Sequence, residues 1–250
     1  MIAQIFPLPS MPDEAAASLL ELRARSLATR FASADAHNIL DHAIRDEFKG
    51  RIALVSSFGA ESAALLHLVS EIDPATPIIF LNTQKHFAQT LSYRKKLATQ
   101  LGLTNVIDVR PGEGAVAARD AVGELWKNSP DACCTLRKVE PLTDALKPFD
   151  AWITGRKQFH GGGRINLPAF EANETHIKVN PLIRWSKDDV VEYAAARDLP
   201  AHPLVAQGYP SLGCWPCTHP VTDSEDVRAG RWRGAAKTEC GIHGIALEGR

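Results

Sequence analysis

Hydrophobic and polar positions repeat along this chain with two different periods, and the change between them predicts a sheet flanked by helices. Short apolar runs bounded by turn residues predict buried strands at residues 51–56, 77–81, 105–109, 151–154 and 177–179. Longer segments with apolar residues at helical spacing predict helices at residues 63–70, 86–101, 138–146 and 186–197. Because strands and helices alternate, we predict an α/β protein whose parallel sheet carries helices on both faces.

We expect a single domain with three parts. Residues 1–49 are predicted to be an N-terminal helical segment, because Ala and Leu recur at helical spacing over residues 13–49. Residues 50–200 carry the alternation of strands and helices and are predicted to form the nucleotide-binding core. Residues 201–250 are rich in Pro, Gly, Trp and Arg, so we predict an irregular and mobile tail there.

Composition and charge limit the classes of partner. The 250 residues are 45% hydrophobic and 23% charged, which is typical of a globular protein with an ample core. No apolar run reaches the roughly 18 residues that a membrane span needs, so we expect no membrane partner. The net charge of −1 gives no overall attraction to nucleic acid, so we expect no nucleic-acid partner either.

The five cysteines divide into a group of four and one other. Cys133 and Cys134 are adjacent, and Cys214 and Cys217 form a Cys-x-x-Cys pair in a loop with Gly and Pro. Four thiolates are what an iron–sulfur cluster or a tetrahedral zinc ion requires, and the sequence leaves both open. Cys240 lies near basic residues in a Glu-Cys-Gly-Ile-His segment, and we predict that it is a reactive nucleophile.

Two other interpretations of these cysteines are less favoured. Unpaired cysteines are often small core residues, but an adjacent pair on a strand would not point both side chains into one core. Disulfides are the second alternative, yet no secretory signal opens the chain and five cysteines cannot all pair. We therefore expect a reducing, cytoplasmic setting.

A turn of small residues follows the first predicted strand. In an open α/β sheet, ligands bind at the carboxyl ends of strands near the point where strand order reverses, and we place this turn there. Small residues let backbone N–H groups approach a phosphate, and the next helix adds its dipole, so we predict a nucleotide contact. The candidate residues are Ser56, Ser57, Phe58, Gly59 and Ser62. The alternative is an ordinary serine helix cap, and the turn is not a Walker loop.

Two further glycine motifs are given no catalytic role. Residues 112–117 resemble a dinucleotide fingerprint, but the expected acidic residue does not lie at a strand end, so we predict a loop. Residues 160–163, His-Gly-Gly-Gly, are similar to an esterase oxyanion segment, yet the chain has no Gly-x-Ser-x-Gly nucleophile. We predict a tight turn or a close approach to a ligand there.

Taken together, several segments resemble one known family, the assimilatory adenylylsulfate (APS) and phosphoadenylylsulfate (PAPS) reductases. The matching segments are Ser-Ser-Phe-Gly-Ala-Glu-Ser at 56–62, Cys-Cys-Thr-Leu-Arg-Lys-Val-Glu-Pro-Leu at 133–142, Thr-Gly-Arg-Lys at 154–157, Lys-Val-Asn-Pro-Leu at 178–182, Gly-Tyr-Pro-Ser-Leu-Gly-Cys-Trp-Pro-Cys-Thr at 208–218, and Glu-Cys-Gly-Ile-His at 239–243. The four cysteines together with the terminal Glu-Cys-Gly-x-His carry most of the specificity.

This resemblance implies a fold, a cofactor and a reaction. The fold would be the adenine-nucleotide α-hydrolase-like type, and the four cysteines resemble the branch that binds a [4Fe–4S] cluster and usually reduces APS. The Cys240 thiolate would attack the sulfur of APS, release AMP and form an S-sulfocysteine. Thioredoxin, or glutathione with glutaredoxin, would then release sulfite, in sulfate assimilation and cysteine biosynthesis. We expect the cluster to be structural and electrostatic, and we leave a homo-oligomer open.

The resemblance also implies roles for basic residues, because a thiolate and a phosphosulfate repel each other unless cations lie between them. The candidate cations are Lys138, Arg164, Arg228 and Arg231, with solvated surface charge as the alternative. Lys138 is expected between the cluster and the substrate. His243 is expected to contact the substrate or to help keep Cys240 a thiolate. Backbone groups near Leu81 and Gly155 are expected to bind adenine, and the tail is expected to close over bound nucleotide.

One segment departs from the family, and other functions stay open. Residues 82–86 read Asn-Thr-Gln-Lys-His where relatives commonly carry Asp-Thr-Gly, and the added Lys85 leaves PAPS open as the substrate because it would suit a 3′-phosphate. The alternatives are an ATP pyrophosphatase or sulfurtransferase on the same scaffold, and a non-catalytic zinc or cluster module that binds nucleic acid or a regulator.

Overall fold

The computed structural model describes residues 13–222, 224–234, 237 and 239–243. Within these residues, six strands form one sheet in the order β3-β2-β1-β4-β6-β5. The strands are β1 (Ile52–Val55), β2 (Ile78–Leu81), β3 (Val106–Val109), β4 (Ala151–Ile153), β5 (Phe170–Ala172) and β6 (Ile177–Val179). All neighbouring strands pair in parallel except β5, which pairs antiparallel with β6.

Helices lie between the strands, as the sequence pattern predicts. They are α1 (Asp13–Arg30), α2 (Ala36–Asp41), α3 (Ser62–Ile72), α4 (Ala88–Gln100), α5 (Glu113–Arg119), α6 (Leu125–Asn128), α7 (Pro130–Cys134), α8 (Glu140–Leu146) and α9 (Lys187–Ala195). Two π-helical turns, His42–Glu47 and Thr135–Val139, extend α2 and join α7 to α8. The prediction of an α/β protein with a mostly parallel sheet is confirmed.

Alternate side chains of the central strands enter two separate cores, one on each face of the sheet. Ile52 and Leu54 of β1 belong to the larger core, which also contains buried residues of α1, α2 and α3. Ala53 of the same strand belongs to the smaller core, together with Trp152 of β4 and Leu142 of α8. This alternation is what a strand covered on both faces requires, because successive side chains point to opposite sides.

Two elements differ from the sequence prediction. Residues 113–119 form α5, so the predicted loop there is wrong: Gly112 is an extended N-cap, and the Ala-rich run that follows favours a helix. Strand β5 was not predicted, because only three residues pair and the pairing depends on the neighbouring strand β6. The adjacent cysteines lie on α7, which Ser129 caps by accepting a hydrogen bond from the Ala132 N–H.

The described part of the chain after Ala195 contains only short 3₁₀ turns and two isolated bridges. One bridge joins His86 to Cys214 and the other joins Thr218 to Arg231. No helix among the described residues is both long and apolar enough to cross a membrane. Residues 1–12 of the predicted N-terminal segment and residues 244–250 of the predicted tail lie outside the described residues.

Strand order reverses at β1, and this places the site. From β1, the chain builds β2 and β3 on one side and β4 and β6 on the other. The turn after β1 therefore faces the turn after β4 across the point where the order reverses. A crevice outside the carboxyl ends of such strands is where open α/β sheets bind ligands, as the sequence argument expects.

Candidate active site

A cavity of about 250 Å³ lies at the carboxyl ends of β1 and β4. It is lined by the turn after β1, the turn after β4, the segment after α7 and the tail. The predicted site residues that line it are Ser56, Ser57, Gly59, Ser62, Leu81, Lys138, Gly155, Arg164, Arg228, Arg231, Cys240 and His243. Residues almost 190 positions apart in the sequence thus meet at one crevice.

Phe58 differs from the other predicted contacts. Its side chain is fully buried in the larger core and meets Phe80 edge-on, with ring centroids 5.8 Å apart. Its φ of 49° lies in the left-handed region, which turns the chain sharply between Ser57 and Gly59. The Phe58 side chain therefore anchors the turn, and any contact of this residue with the substrate would be made by its backbone.

The turn after β1 is organised by its own serines. The Ser56 hydroxyl accepts a hydrogen bond from the Phe58 N–H at 3.2 Å, and the Ser62 hydroxyl donates to the Gly59 carbonyl at 2.7 Å. Helix α3 begins at Ser62, so its N-terminal N–H groups and positive dipole end lie at the cavity. This arrangement suits a phosphate or another anion.

An ion pair between a buried lysine and a partly buried glutamate joins the two turns, and the sequence analysis did not assign it. The Lys157 ammonium lies 2.9 Å from Glu61, and His160 Nε2 lies 3.1 Å from the same carboxylate. Burial alone would raise the pKa of Glu61, but the hydrogen bond from His160 and the charge of Lys157 lower it to about 2. The available sequence signal is Lys157, a lysine three residues after a predicted strand, although its partner cannot be identified from spacing.

The four cysteines predicted to bind a metal lie around one small cavity. Cys133 and Cys134 of α7 and Cys214 and Cys217 of the later loop line a space of about 10 Å³. Burial raises the pKa of the Cys133 thiol to about 11 and also raises the pKa of Cys134 and Cys217. Among the described residues, no three His, Cys, Asp or Glu side chains are grouped as ligands of a single metal ion.

The segment after β2 supports the Cys214 loop. The Thr83 hydroxyl lies 3.2 Å from Cys214 Sγ, and the Trp215 N–H donates to the Lys85 carbonyl at 2.8 Å. The Lys85 ammonium donates to the Gly123 carbonyl and lines the small cysteine cavity, whereas the described lining of the large cavity does not include it. The suggestion that Lys85 accommodates a 3′-phosphate is therefore not supported, because the side chain points to the cysteines.

Arg137 holds this segment against α5 from inside. It forms a buried ion pair with Asp120, with 2.7 Å between the guanidinium and carboxylate. Its other nitrogen donates to the Thr83 carbonyl and to Gln84 Oε1, both at 3.0 Å. Burial by itself would raise the pKa of Asp120, but hydrogen bonds from Leu125 and Arg137 lower it. The pair thus stays ionised and fixes the position of the Thr83 hydroxyl beside the Cys214 sulfur.

Lys138 and Arg231 each line both cavities. Burial alone would lower the pKa of Lys138, but the nearby sulfurs of Cys214, Cys240 and Cys134 raise it, so the ammonium stays charged. The Arg231 guanidinium donates to the Leu212 carbonyl at 2.9 Å. Lys138 therefore lies between the cysteine group and the large cavity, the location expected for it.

The described tail residues pack into the large cavity. Lys178 donates to the His243 carbonyl at 2.6 Å, and Ile242 packs against the smaller core. Gly241, with φ of 86°, makes the left-handed turn between Cys240 and Ile242. The Glu239 carboxylate lies 2.6 Å from Arg164 and also contacts Arg228. These contacts hold Cys240 at the cavity wall.

His243 stacks on Trp152 with ring centroids 5.4 Å apart and planes 6° apart. Burial, with the nearby charges of Arg156 and Lys178, lowers the pKa of His243 well below its ordinary value. This lowered pKa favours the neutral imidazole, and the expectation that His243 helps to keep Cys240 a thiolate stays a prediction. Its Nδ1 is buried without a hydrogen-bond partner among the described residues, which leaves a substrate contact as the other role.

The two backbone positions expected near adenine lie on opposite walls of the cavity. Leu81 ends β2, and its carbonyl accepts a hydrogen bond from His86 Nε2 at 2.8 Å. Gly155 follows β4, and its carbonyl accepts one from Lys157 at 3.2 Å. A carbonyl has two lone pairs, so each retains capacity for a second donor.

Several known proteins are similar to this chain. Residues 51–220 match the family described as the phosphoadenosine phosphosulfate reductase domain. An adenosine 5′-phosphosulfate reductase of Mesorhizobium japonicum is 51% identical over 210 residues, which cover 84% of this chain and 83% of that protein. One of Chelativorans sp. is 48% identical over 231 residues, covering 91% and 94%. A crystal structure of a Candida auris PAPS reductase in a phosphate complex matches with a TM-score of 0.67 at 26% identity, covering 78% and 96%.

Proposed function

We propose, given that the chain belongs to the phosphoadenosine phosphosulfate reductase domain family, that this enzyme reduces APS to sulfite and AMP. The observation that carries the proposal is the convergence of the small-residue turn, the cations and Cys240 on one cavity. Two relatives with about half of their residues identical bear the name of an APS reductase. Family membership supports this function over the two others that the sequence left open, an ATP pyrophosphatase or sulfurtransferase and a non-catalytic zinc or cluster module.

The first step forms a covalent intermediate at Cys240. Its thiolate attacks the sulfur of APS, so that a sulfur–sulfur bond forms while the bond from sulfur to the bridging phosphate oxygen breaks. The electron pair of the broken bond leaves with AMP, whose phosphate is a stable anion and needs no strong acid. Cys240 is left as an S-sulfocysteine.

The second step transfers two electrons from thiols. A thiolate of thioredoxin, or of glutathione, attacks Cys240 Sγ, forms a mixed disulfide and releases sulfite with the electron pair of the former sulfur–sulfur bond. A second thiol then attacks the mixed disulfide and frees the Cys240 thiolate. The sulfur of the substrate is reduced from sulfate to sulfite level, while two thiols are oxidised to one disulfide.

The cations of the cavity make the first step electrostatically feasible. An anionic thiolate approaches a substrate that already carries several negative charges, and this repulsion is strong in a partly buried site. Lys138 and Arg231 stand beside Cys240, while Arg164 and Arg228 lie on the same cavity. We infer that these four bind the phosphosulfate oxygens and hold its sulfur in line with Cys240.

We also propose that Cys133, Cys134, Cys214 and Cys217 hold a [4Fe–4S] cluster. The donor set fits, because four thiols line one cavity beside the buried cation Arg137 and the half-buried cation Lys138. When bound, the cluster would supply a fixed negative charge and a cross-link between α7 and the later loop. A zinc ion is the chemical alternative, and iron and sulfide analysis with visible absorbance of anaerobically purified protein distinguishes the two.

The test of the function is sulfite release from APS and from PAPS with thioredoxin, for the wild type and Cys240→Ser. We expect sulfite from APS, label from ³⁵S-APS trapped on Cys240 when thioredoxin is omitted, and neither result in the variant. Binding of AMP and the visible absorbance of Cys240→Ser serve as controls for its fold. Normal turnover by Cys240→Ser would refute the mechanism, and a preference for PAPS would refute the substrate.

A further inference from the structure

Glu239, the residue before Cys240, is held by two arginines of the large cavity. Its carboxylate lies 2.6 Å from Arg164 Nη2 and 3.4 Å from Arg228 Nη2. The arginine side chains are largely buried, at 13% and 20% exposed, whereas that of Glu239 is 44% exposed. The arginines therefore belong to the wall of the cavity, and the glutamate approaches them from its open side.

Arg164 is oriented from behind by a chain of hydrogen bonds. Its Nη1 donates to His160 Nδ1 at 3.2 Å, and His160 Nε2 lies 3.1 Å from the Glu61 carboxylate. Because Nδ1 accepts from Arg164, the ring proton lies on Nε2 and points to Glu61. Arg164 is thus fixed by the same group of side chains that joins the turns after β1 and β4, and its Nη2 is the atom that holds Glu239.

Two converging guanidinium groups bind any compact oxyanion, and they do not distinguish a carboxylate from a sulfonate or a phosphate by charge alone. We propose that Glu239 is an internal anion that occupies an oxyanion subsite formed by Arg164 and Arg228, and that the phosphosulfate of the substrate displaces it. This inference rests on the proposed function and assigns a competitive role to a residue of the reactive segment.

Displacement has a consequence for Cys240. While Glu239 is bound, its charge compensates the two arginines and adds a negative charge next to the position of the thiolate. Once the substrate anion takes its place, the acidic anchor of the tail is released, although the contacts of Ile242 and the His243 carbonyl with the core remain. Loss of this one anchor would let Cys240 align with the sulfur of the substrate, while the other contacts keep the tail on the core.

A purely supporting role for Glu239 predicts the opposite change in the dissociation constant of APS. If the carboxylate only supported the arginines, its removal would leave them disordered and would weaken substrate binding. If it competes with the substrate, its removal leaves the subsite vacant and charged, so anion binding becomes tighter. The sign of the change in the dissociation constant therefore decides between the two.

The experiment compares Glu239→Gln with the wild type, each in a Cys240→Ser background so that APS is not consumed. We expect the calorimetric dissociation constant of APS to fall by about three- to tenfold, because one competing charge is removed. The matched control is Glu225→Gln, whose carboxylate pairs with Arg233 at 2.8 Å outside the cavity, and we expect no change there. In an Arg164→Gln background the effect of Glu239→Gln should shrink, as a double-mutant cycle measures.

An unchanged or larger dissociation constant for Glu239→Gln would overturn the inference. The proposed function is tested separately, by sulfite release in the Cys240-containing proteins. If wild type and Glu239→Gln both release sulfite while APS binding is not tighter in the variant, the subsite proposal fails and the function stands. If APS binding becomes tighter but neither protein releases sulfite, the subsite proposal stands and the proposed function fails.

Discussion

At the scale of single residues, the contact between Arg231 and Gly213 controls one cation of the site. The Arg231 guanidinium lies directly against the Cα of Gly213, so that a Cβ at this position would overlap it. In this position the guanidinium donates to the Leu212 carbonyl at 2.9 Å and lines both cavities. Glycine is therefore required at 213 for space, and the arginine is positioned by the absence of a side chain.

We predict that Gly213→Ala raises the KM for APS at least about tenfold, since the displaced guanidinium would lose a charged hydrogen bond to the substrate, which is worth about 1.5–3 kcal/mol. Steady-state kinetics at fixed thioredoxin measure the change. Gly114→Ala is the matched control, because a Cβ at that helical position meets nothing within 4 Å. A Gly213→Ala enzyme with the KM of the wild type would show that the position of Arg231 does not matter for binding.

Residue types alone revealed much of the candidate site, and the reason is chemical. Cysteine, clustered arginine and a small-residue turn each imply a narrow range of chemistry, so Cys240, Arg164 and Ser56 could be proposed from the sequence. Glu61 could not, because its function depends on meeting Lys157 and His160 across about 100 residues of chain. The motif also does not show that the Phe58 side chain turns into the core, because burial depends on the packing of β2 against the turn.

At the scale of elements, α4 is attached to the segment before the Cys214 loop through a buried neutral histidine. His202 Nδ1 accepts the Leu204 N–H, so Nε2 carries the proton and donates to the Thr90 hydroxyl of α4 at 3.1 Å. The ring also meets Tyr93 edge-on. Burial lowers the pKa of His202 to about 4, because a charged imidazole would lose solvation there.

We predict that this histidine makes the protein less stable in mild acid. Its pKa is about 6.5 when unfolded and about 4 when folded, so the unfolded state binds more protons between these values. Its contribution is complete above about pH 6.5 and is lost as the pH falls toward 4. Urea midpoints at pH 7.5 and 5.0 should differ less for His202→Gln than for the wild type. An equal pH dependence in both proteins would refute this role.

The elements that sequence reasoning missed are short and depend on their neighbours. Helix α5 follows Gly112, and a glycine pattern similar to a known motif obscured the helix-favouring alanines behind it. Strand β5 is three residues long and exists because β6 offers it an edge. The longer elements, such as α3 and α4, carry enough hydrophobic periodicity to be predicted without tertiary information.

At the scale of the whole molecule, strand order decides where the chemistry lies. Because the order reverses at β1, the turns that follow β1 and β4 meet, and the chain returns after α9 to cover their carboxyl ends. Parallel pairing of β1 with β4 also places Trp152 beneath the tail, where it stacks with His243. The alternation of elements predicted this class of sheet, whereas the packing of residues 239–243 depends on contacts distant in sequence.

The packing of the tail predicts how far Cys240 is exposed. Ile242 inserts into the smaller core, and truncating a partly buried isoleucine removes apolar contacts worth about 1–2 kcal/mol. Ile242→Ala should therefore raise the open fraction of the tail roughly tenfold, since about 1.4 kcal/mol changes an equilibrium tenfold. Hydrogen exchange of the peptide containing residues 239–243 measures this, and peptides of β1 and β4 serve as the internal control.

AMP should restore protection in the variant, because a filled cavity offers the tail new contacts. If exchange near Cys240 is the same in both proteins, with and without AMP, Ile242 does not hold the tail and closure over the nucleotide is refuted.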